Sequence, residues 1–214
     1  INSVLGQTFK DFEIIIVYDD ENLDDYNFLK SNFENQKKIK IIKNLVNLGA
    51  GPSRNIGIKN SKGDFLAFLD ADDFWLPNKL DKQIKFMDKN NFEFTFCNYQ
   101  KKLIKNKTID IKASKNTLNY NDLLKSCDIG LSTVILKKNI IEENLFPNLR
   151  TQEDYVAWLK LTKKNINAYN VGETLVTWNE VSNSLSSNFI QKISDAFKVY
   201  YIYEKFNILK SIYF

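Results

Sequence analysis

Histidine is missing from all 214 residues, and no other absence removes as much chemistry. It excludes the usual general base, the commonest metal ligand and every Ser-His or Cys-His pairing. The two cysteines, Cys97 and Cys127, stand apart with no metal-type spacing, so they read as reduced thiols in a cytoplasm. Three prolines and seven glycines leave little material for a flexible linker. No apolar run approaches membrane-spanning length, and no secretory leader pattern stands out. A net charge of +4 is mild. No basic block interleaved with aromatics marks a nucleic-acid groove, and the loose group Lys37, Lys38, Lys40 and Lys43 reads as a solvated edge. Any metal chemistry must therefore rest on carboxylates.

What remains is an ordinary globular composition, 43% hydrophobic and 14% aromatic, ample for one domain with a small appendage. Ile1 to Phe9 reads as the end of an amphipathic helix stopping near Gly6. Glu13 to Tyr18 is an apolar strand, Tyr26 to Asn35 a helix and Ile39 to Lys43 a short strand. Gly51 to Asn60 follows as a helix with Pro52 in its first turn, a position proline tolerates. Phe65 to Leu69 is a continuous apolar run that suits a central strand covered on both faces. Asn78 to Asn90 is a helix with Leu80, Ile84 and Met87 on one face, and Phe92 to Tyr99 is a strand. This alternation predicts an α/β fold with a mostly parallel central sheet flanked by helices. After Gln100 the pattern changes to a hairpin or edge strand at Leu103 to Ile111, a strand at Thr133 to Lys137, a helix at Thr151 to Lys164 and a strand at Ala168 to Trp178. Phe189 to Phe214 reads as one long aromatic-rich helix. The expected division is 1–100 as a ligand-binding half, 101–188 as a second half of the same domain, and 189–214 as the C-terminal helix.

Two strands end in acids. Val17 runs into Asp19 and Asp20, and Leu69 runs into Asp70, Asp72 and Asp73. Open α/β sheets bind ligands at the carboxyl ends of their strands, so parallel neighbours would turn both sets toward one crevice. Three acids this close either share a cation, for which oxygen ligands favour Mg²⁺ or Mn²⁺, or form an acidic loop capping the next helix. Asp19 suits a ribose or base edge, or simply starts a turn. Gly49, Gly51 and Arg54 lie between the two sets and suit a phosphate.

The stretches Glu13 to Asp20, Asn47 to Gly57, Lys62 to Pro77 (with its Asp-Ala-Asp-Asp-Phe-Trp-Leu-Pro) and Gln152 to Trp158 together resemble the family 2 glycosyltransferases. These are inverting, nucleotide-sugar-dependent enzymes of glycosyltransferase A-type fold, and the resemblance runs from the first helix through Ser184-Leu-Ser186. It implies donor contacts at Asp19, Arg54, Asp70 and Asp72. It places Mg²⁺ or Mn²⁺ on Asp72 with Asp70, the catalytic base at Asp154 with Glu153 in support, and a packing aromatic at Trp158. The implied activity moves a hexosyl or N-acetylhexosaminyl group from a UDP-sugar to a glycan or lipid-linked acceptor. The setting would be bacterial surface polysaccharide synthesis, in the cytoplasm at the inner face of the membrane.

The family's usual first strand does not precede Ile1 here, which suggests a truncated or incompletely numbered sequence. Tyr18 and the Asp20-Glu21 loop depart from the common pattern, and Val181 stands where many members carry a histidine. The competing readings are an inactive domain that binds a nucleotide or a partner, and a phosphatase or nucleotidyltransferase using the acidic motif. For the C-terminal helix the readings are packing, including a homodimer contact, or a peripheral membrane contact, because Lys192, Lys198, Lys205 and Lys210 accompany its aromatics.

Overall fold

The computed structural model describes residues 1–104, 107–180 and 189–214. A one-turn helix, α1 (Asn2–Leu5), stops at Gly6 as expected. Strands β1 (Ile14–Tyr18) and β2 (Ile39–Lys43) pair in parallel, Ile14 opposite Ile39 through Tyr18 opposite Lys43. Between them lies α2 (Leu23–Phe33), whose cap Asn22 accepts the Asp24 N–H. Helix α3 (Ala50–Asn60) starts after Gly49, which sits at φ 88 where a side chain would be strained. Then come β3 (Phe65–Ala67), β4 (Phe74–Trp75), α4 (Lys79–Asn90), β5 (Phe94–Lys102), β6 (Thr108–Ile111) and β7 (Thr117–Leu118). The series closes with α5 (Tyr120–Leu123), β8 (Ile135–Lys137), α6 (Glu153–Lys163), β9 (Ala168–Asn179), α7 (Phe189–Lys198) and α8 (Ile208–Tyr213).

The α/β architecture holds, but the expectation of a mostly parallel sheet does not. The larger sheet runs β3-β8-β5-β9-β4, with β6 on β5 and β7 on β9. Among the described residues, β5 and β9 are its parallel pair, and its other ladders are antiparallel. A parallel return needs a crossover of a dozen or more residues, usually a helix. Between β5 and β8 the described chain has short strands, the one-turn α5 and a 3-10 turn at Leu131–Thr133 but no crossover helix, and it comes back reversed. A second correction concerns Phe65 to Leu69. The strand ends at Ala67 and lies at one end of the sheet order, with Leu66 buried and Ala67 exposed. No ladder among the described residues joins it to β1, so it is an edge strand and not the central one, although Phe65 and Leu69 pack into one core cluster and Phe68 into the other.

The core forms where both faces of the β5–β9 pair are covered. On one side Phe94, Leu136, Phe146, Trp158, Leu159 and Val199 pack together, and on the other Trp75, Leu80, Met87, Cys97 and Val176. Helix α4 presents Leu80 and Met87 inward, with Ile84 packed beside them as its spacing predicts. It also buries Lys79, whose Nζ has no hydrogen-bond partner among the described residues and lies 4.4 Å from the centre of the Trp75 ring. Burial pulls this ammonium down to about 8.

The C-terminal segment is not one helix. Helix α7 runs into a π-helical turn at Val199–Tyr203, Lys205 adopts φ 57, and Asn207 then caps α8. Three polar anchors bind the segment to α6 or to the turn before it. The fully buried Asp195 carboxylate accepts the Thr151 N–H at 3.1 Å and the Thr151 hydroxyl at 3.0 Å. Tyr200 and Tyr155 meet hydroxyl to hydroxyl at 3.0 Å. Glu204 accepts from Lys163 at 2.7 Å and from the Tyr120 hydroxyl.

Asp195→Ala would leave the Thr151 amide buried without an acceptor, a loss of about 1–3 kcal/mol. The expected fall in Tm is a few to about 10 °C by circular dichroism. An unchanged Tm would mean that the anchor contributes nothing.

Candidate active site

Asp19, just past β1, accepts the Leu48 N–H at 2.8 Å, the Gly49 N–H at 2.7 Å and the Asn44 side-chain N–H at 2.7 Å. It therefore ties the Asn44–Gly49 loop to β1 and aims the start of α3. Its Oδ1 takes two of these bonds and Oδ2 one, which leaves Oδ2 with unused acceptor capacity. Gly51, in the first turn of α3, lies against Pro147, where an added Cβ would stand 2.2 Å from the Pro147 carbonyl oxygen, so α3 packs there only because that side chain is absent. The two acid sets thus communicate through α3 and not through neighbouring strands.

Arg54 makes the link. One guanidinium nitrogen donates to Asp70 at 2.8 Å, another donates to Glu153, and the group lies 5.6 Å from the centre of the Phe146 ring. Strand β3, α3 and α6 therefore converge on one cation. The three acids after β3 sit in separate environments. Asp70 pairs with Arg54. The buried Asp73 accepts from the Ser132 hydroxyl at 2.5 Å and from the Asn179 N–H at 3.1 Å, yet burial still pushes its carboxyl up to about 7. Asp72 is exposed, and its carboxylate meets no other side chain in hydrogen-bond or ion-pair contact among the described residues. Partial desolvation by its neighbours, and secondarily Asp70, holds its carboxyl above the usual carboxylate range. Among the described residues no three acid, cysteine or histidine side chains are placed to hold a cation by themselves.

Helix α6 begins just after Gln152, which is held at φ 63, and puts Glu153 and Asp154 in its first turn. Glu153 is buried against Arg54. The Asp154 carboxyl accepts the Tyr155 N–H at 2.8 Å and is pushed up to about 7, first by desolvation and then by Glu153, while Arg54 opposes the shift. Asp154 lines two adjoining cavities. One, of about 160 Å³, is bounded by Asp70, Asp73, Ser132 and Trp178. The other, of about 540 Å³, is bounded by Gln152, Cys127, Tyr155, Trp178 and Tyr200. A titratable carboxyl near neutrality thus stands between a small acidic recess and a larger, partly aromatic one.

Ser132, Tyr99 and Trp178 line this site without having been singled out from the sequence. Ser132 is 59 residues from Asp73, and no local signal marks it. Trp178, an aromatic near the end of a strand, was the better candidate. Trp158 packs as expected, fully buried among Phe68, Phe94 and Phe146. Val181 and Ser184 to Ser186 lie outside the described residues.

Residues 1–139 match the family model described as glycosyl transferase family 2. The chain belongs to that family. It is 37% identical over 195 residues to the Escherichia coli UDP-Glc:alpha-D-GlcNAc-diphosphoundecaprenol beta-1,3-glucosyltransferase WfgD, covering 90% of this chain and 75% of that one. It is 32% identical over 213 residues to the putative teichuronic acid biosynthesis glycosyltransferase TuaG of Bacillus subtilis, covering 99% and 84%. In fold it resembles S. aureus TarS residues 1–349, whose crystal structure holds UDP-GlcNAc, with a TM-score of 0.73 and 20% identity over 94% of this chain and 60% of that one.

In this family 2 glycosyltransferase the raised Asp154 carboxyl has a sign that can be measured. The folded chain keeps its proton up to about pH 7, whereas the unfolded chain releases it near the ordinary value of 3.8. Ionisation is therefore resisted by the fold, and stability falls as pH rises between those values. Relative to Asp154→Asn, the wild type should lose several degrees of Tm between about pH 4 and pH 8. Parallel Tm curves for the two proteins would contradict the shift.

Proposed function

We propose that the protein is a metal-dependent inverting glycosyltransferase. It moves a hexosyl or N-acetylhexosaminyl group from a UDP-sugar to a hydroxyl of a glycan or lipid-linked acceptor, on the cytoplasmic face of the cell membrane during surface polysaccharide synthesis. The observation that carries this reading is Asp154, a carboxyl raised to about 7 between two cavities and set beside the acids at the end of β3. The names of WfgD and TuaG support the acceptor class, and the UDP-GlcNAc bound to TarS supports the donor class.

The residues divide the work by their environments. Asp19 offers its spare lone pair to the nucleoside. The exposed Asp72, with the unshared oxygen of Asp70 beside it, suits a cation held by one or two carboxylates and completed by diphosphate oxygens and water, the way Mg²⁺ is usually bound. A Mg²⁺ or Mn²⁺ ion there would neutralise the departing diphosphate. Arg54 is already shared by Asp70 and Glu153, so it positions the site instead of gripping a phosphate. Glu153 holds Arg54 and leaves proton transfer to Asp154. Asp154 accepts the proton of an acceptor hydroxyl lying in the larger cavity as that oxygen attacks the anomeric carbon. Attack opposite the leaving diphosphate inverts the configuration, and a base near pH 7 is well matched to this task.

Calorimetric titration of UDP should show binding with Mn²⁺ that weakens at least tenfold with EDTA or in Asp72→Ala. Asp154→Asn should keep its UDP affinity and lose about 10²–10⁴ in turnover with an accepted UDP-sugar. Silence toward UDP in the folded protein, with and without metal, would overturn the reading. Metal-dependent UDP binding with no transfer to any acceptor would leave the inactive binding domain instead.

A further inference from the structure

The C-terminal segment that anchors α6 has a second face. Its two acids, Asp195 and Glu204, are both buried and spent on the anchors. Of its four lysines, Lys198 pairs with Asp195. Lys192, Lys205 and Lys210 are exposed and make no ion pair among the described residues. The outward charge of the segment is thus of one sign.

The segment also exposes an apolar stripe. Along α7 and the turn after it, Ile190, Ile193, Phe197 and Tyr201 recur at helical spacing; Ile190 is 80% and Ile193 55% exposed, and the Phe197 and Tyr201 rings stack. On α8, Ile208, Leu209, Ile212 and Tyr213 all face out, with Leu209 at 82% and Tyr213 at 83%. An amphipathic helix ordinarily hides this stripe, and a contiguous exposed apolar patch marks an interaction surface. Lysines flanking such a stripe are the composition of helices that lie in a bilayer interface. A second copy of the chain fits less well, because a two-fold contact would set these lysines against each other with no exposed acid in the segment to pair with.

We propose that the outward face of residues 190–213 docks on the surface of an anionic lipid bilayer. The place of this face in the fold adds a reason, which rests on the transferase reading while the surface itself does not. Tyr200 and Phe214 line the larger cavity beside Asp154. An acceptor whose reactive sugar sits in that cavity would have its remainder leave next to α8, where a lipid tail would meet the bilayer.

Flotation with vesicles needs neither donor nor acceptor, so its result is independent of catalysis. The protein should float with phosphatidylglycerol-rich vesicles, bind pure phosphatidylcholine at least tenfold less, and be weakened severalfold by added salt. Combined Ile208→Ser, Leu209→Ser and Ile212→Ser should reduce vesicle binding at least tenfold, as should combined Lys192→Glu, Lys205→Glu and Lys210→Glu. Both variants alter exposed side chains, so Tm and UDP titration should match the wild type. Failure of the wild type to float with anionic vesicles would overturn the proposal, as would floating unchanged in two folded variants. It would equally be overturned by a wild-type dimer in sedimentation that the same substitutions dissociate, with no vesicle binding, since the face would then be a self-contact.

Discussion

The site depends on one shared cation. Arg54 binds Asp70, 16 residues away, and Glu153, 99 residues away, and so brings the end of β3 and the first turn of α6 to the same helix. Without it two partly buried carboxylates would face each other across a low-dielectric gap, which is costly when one partner of a buried pair is lost. Asp154 takes its position from this bridge because it is the next residue after Glu153. The bridge also moderates its chemistry, since Arg54 opposes the rise in its affinity for protons caused by burial and by Glu153.

Around that cation, chemically identical side chains acquire different tasks. Asp70 is an ion-pair partner, Asp73 a buried acceptor for Ser132 and Asn179, Asp72 an uncommitted carboxylate, and Asp154 a carboxyl poised near neutrality. A chain without histidine has no side chain whose ordinary titration lies there. Burial supplies the equivalent by shifting an aspartate.

The C-terminal segment shows the same division between its two sides. Inward, Asp195, Tyr200 and Glu204 fasten it to α6 and the turn before it at Thr151, Tyr155 and Lys163. Outward, it carries apolar and basic side chains. The chain breaks after Tyr203, and Phe214 at the end of α8 lines the larger cavity.

Short-range information was legible in the residues. The apolar runs of β1 and β2, the spacing of Leu80, Ile84 and Met87, and the stop at Gly6 all express contacts within a few residues, and all appear where they were expected. The likeness to family 2 glycosyltransferases was legible for the same reason, since its motifs are contiguous stretches. Strand direction was not, because the reversed pairing of β8 with β5 depends on how the chain between them folds back. Neither was the break after Tyr203, which follows a segment held by partners as far as 41 and 84 residues away. The sequence by itself determined which elements form and where acids gather. The tertiary structure decided which acid meets Arg54, which is buried beside Ser132, which stays free and which is raised toward neutrality, because a carboxyl's charge and partners are set by the dielectric and donors around it, and those come from distant parts of the chain.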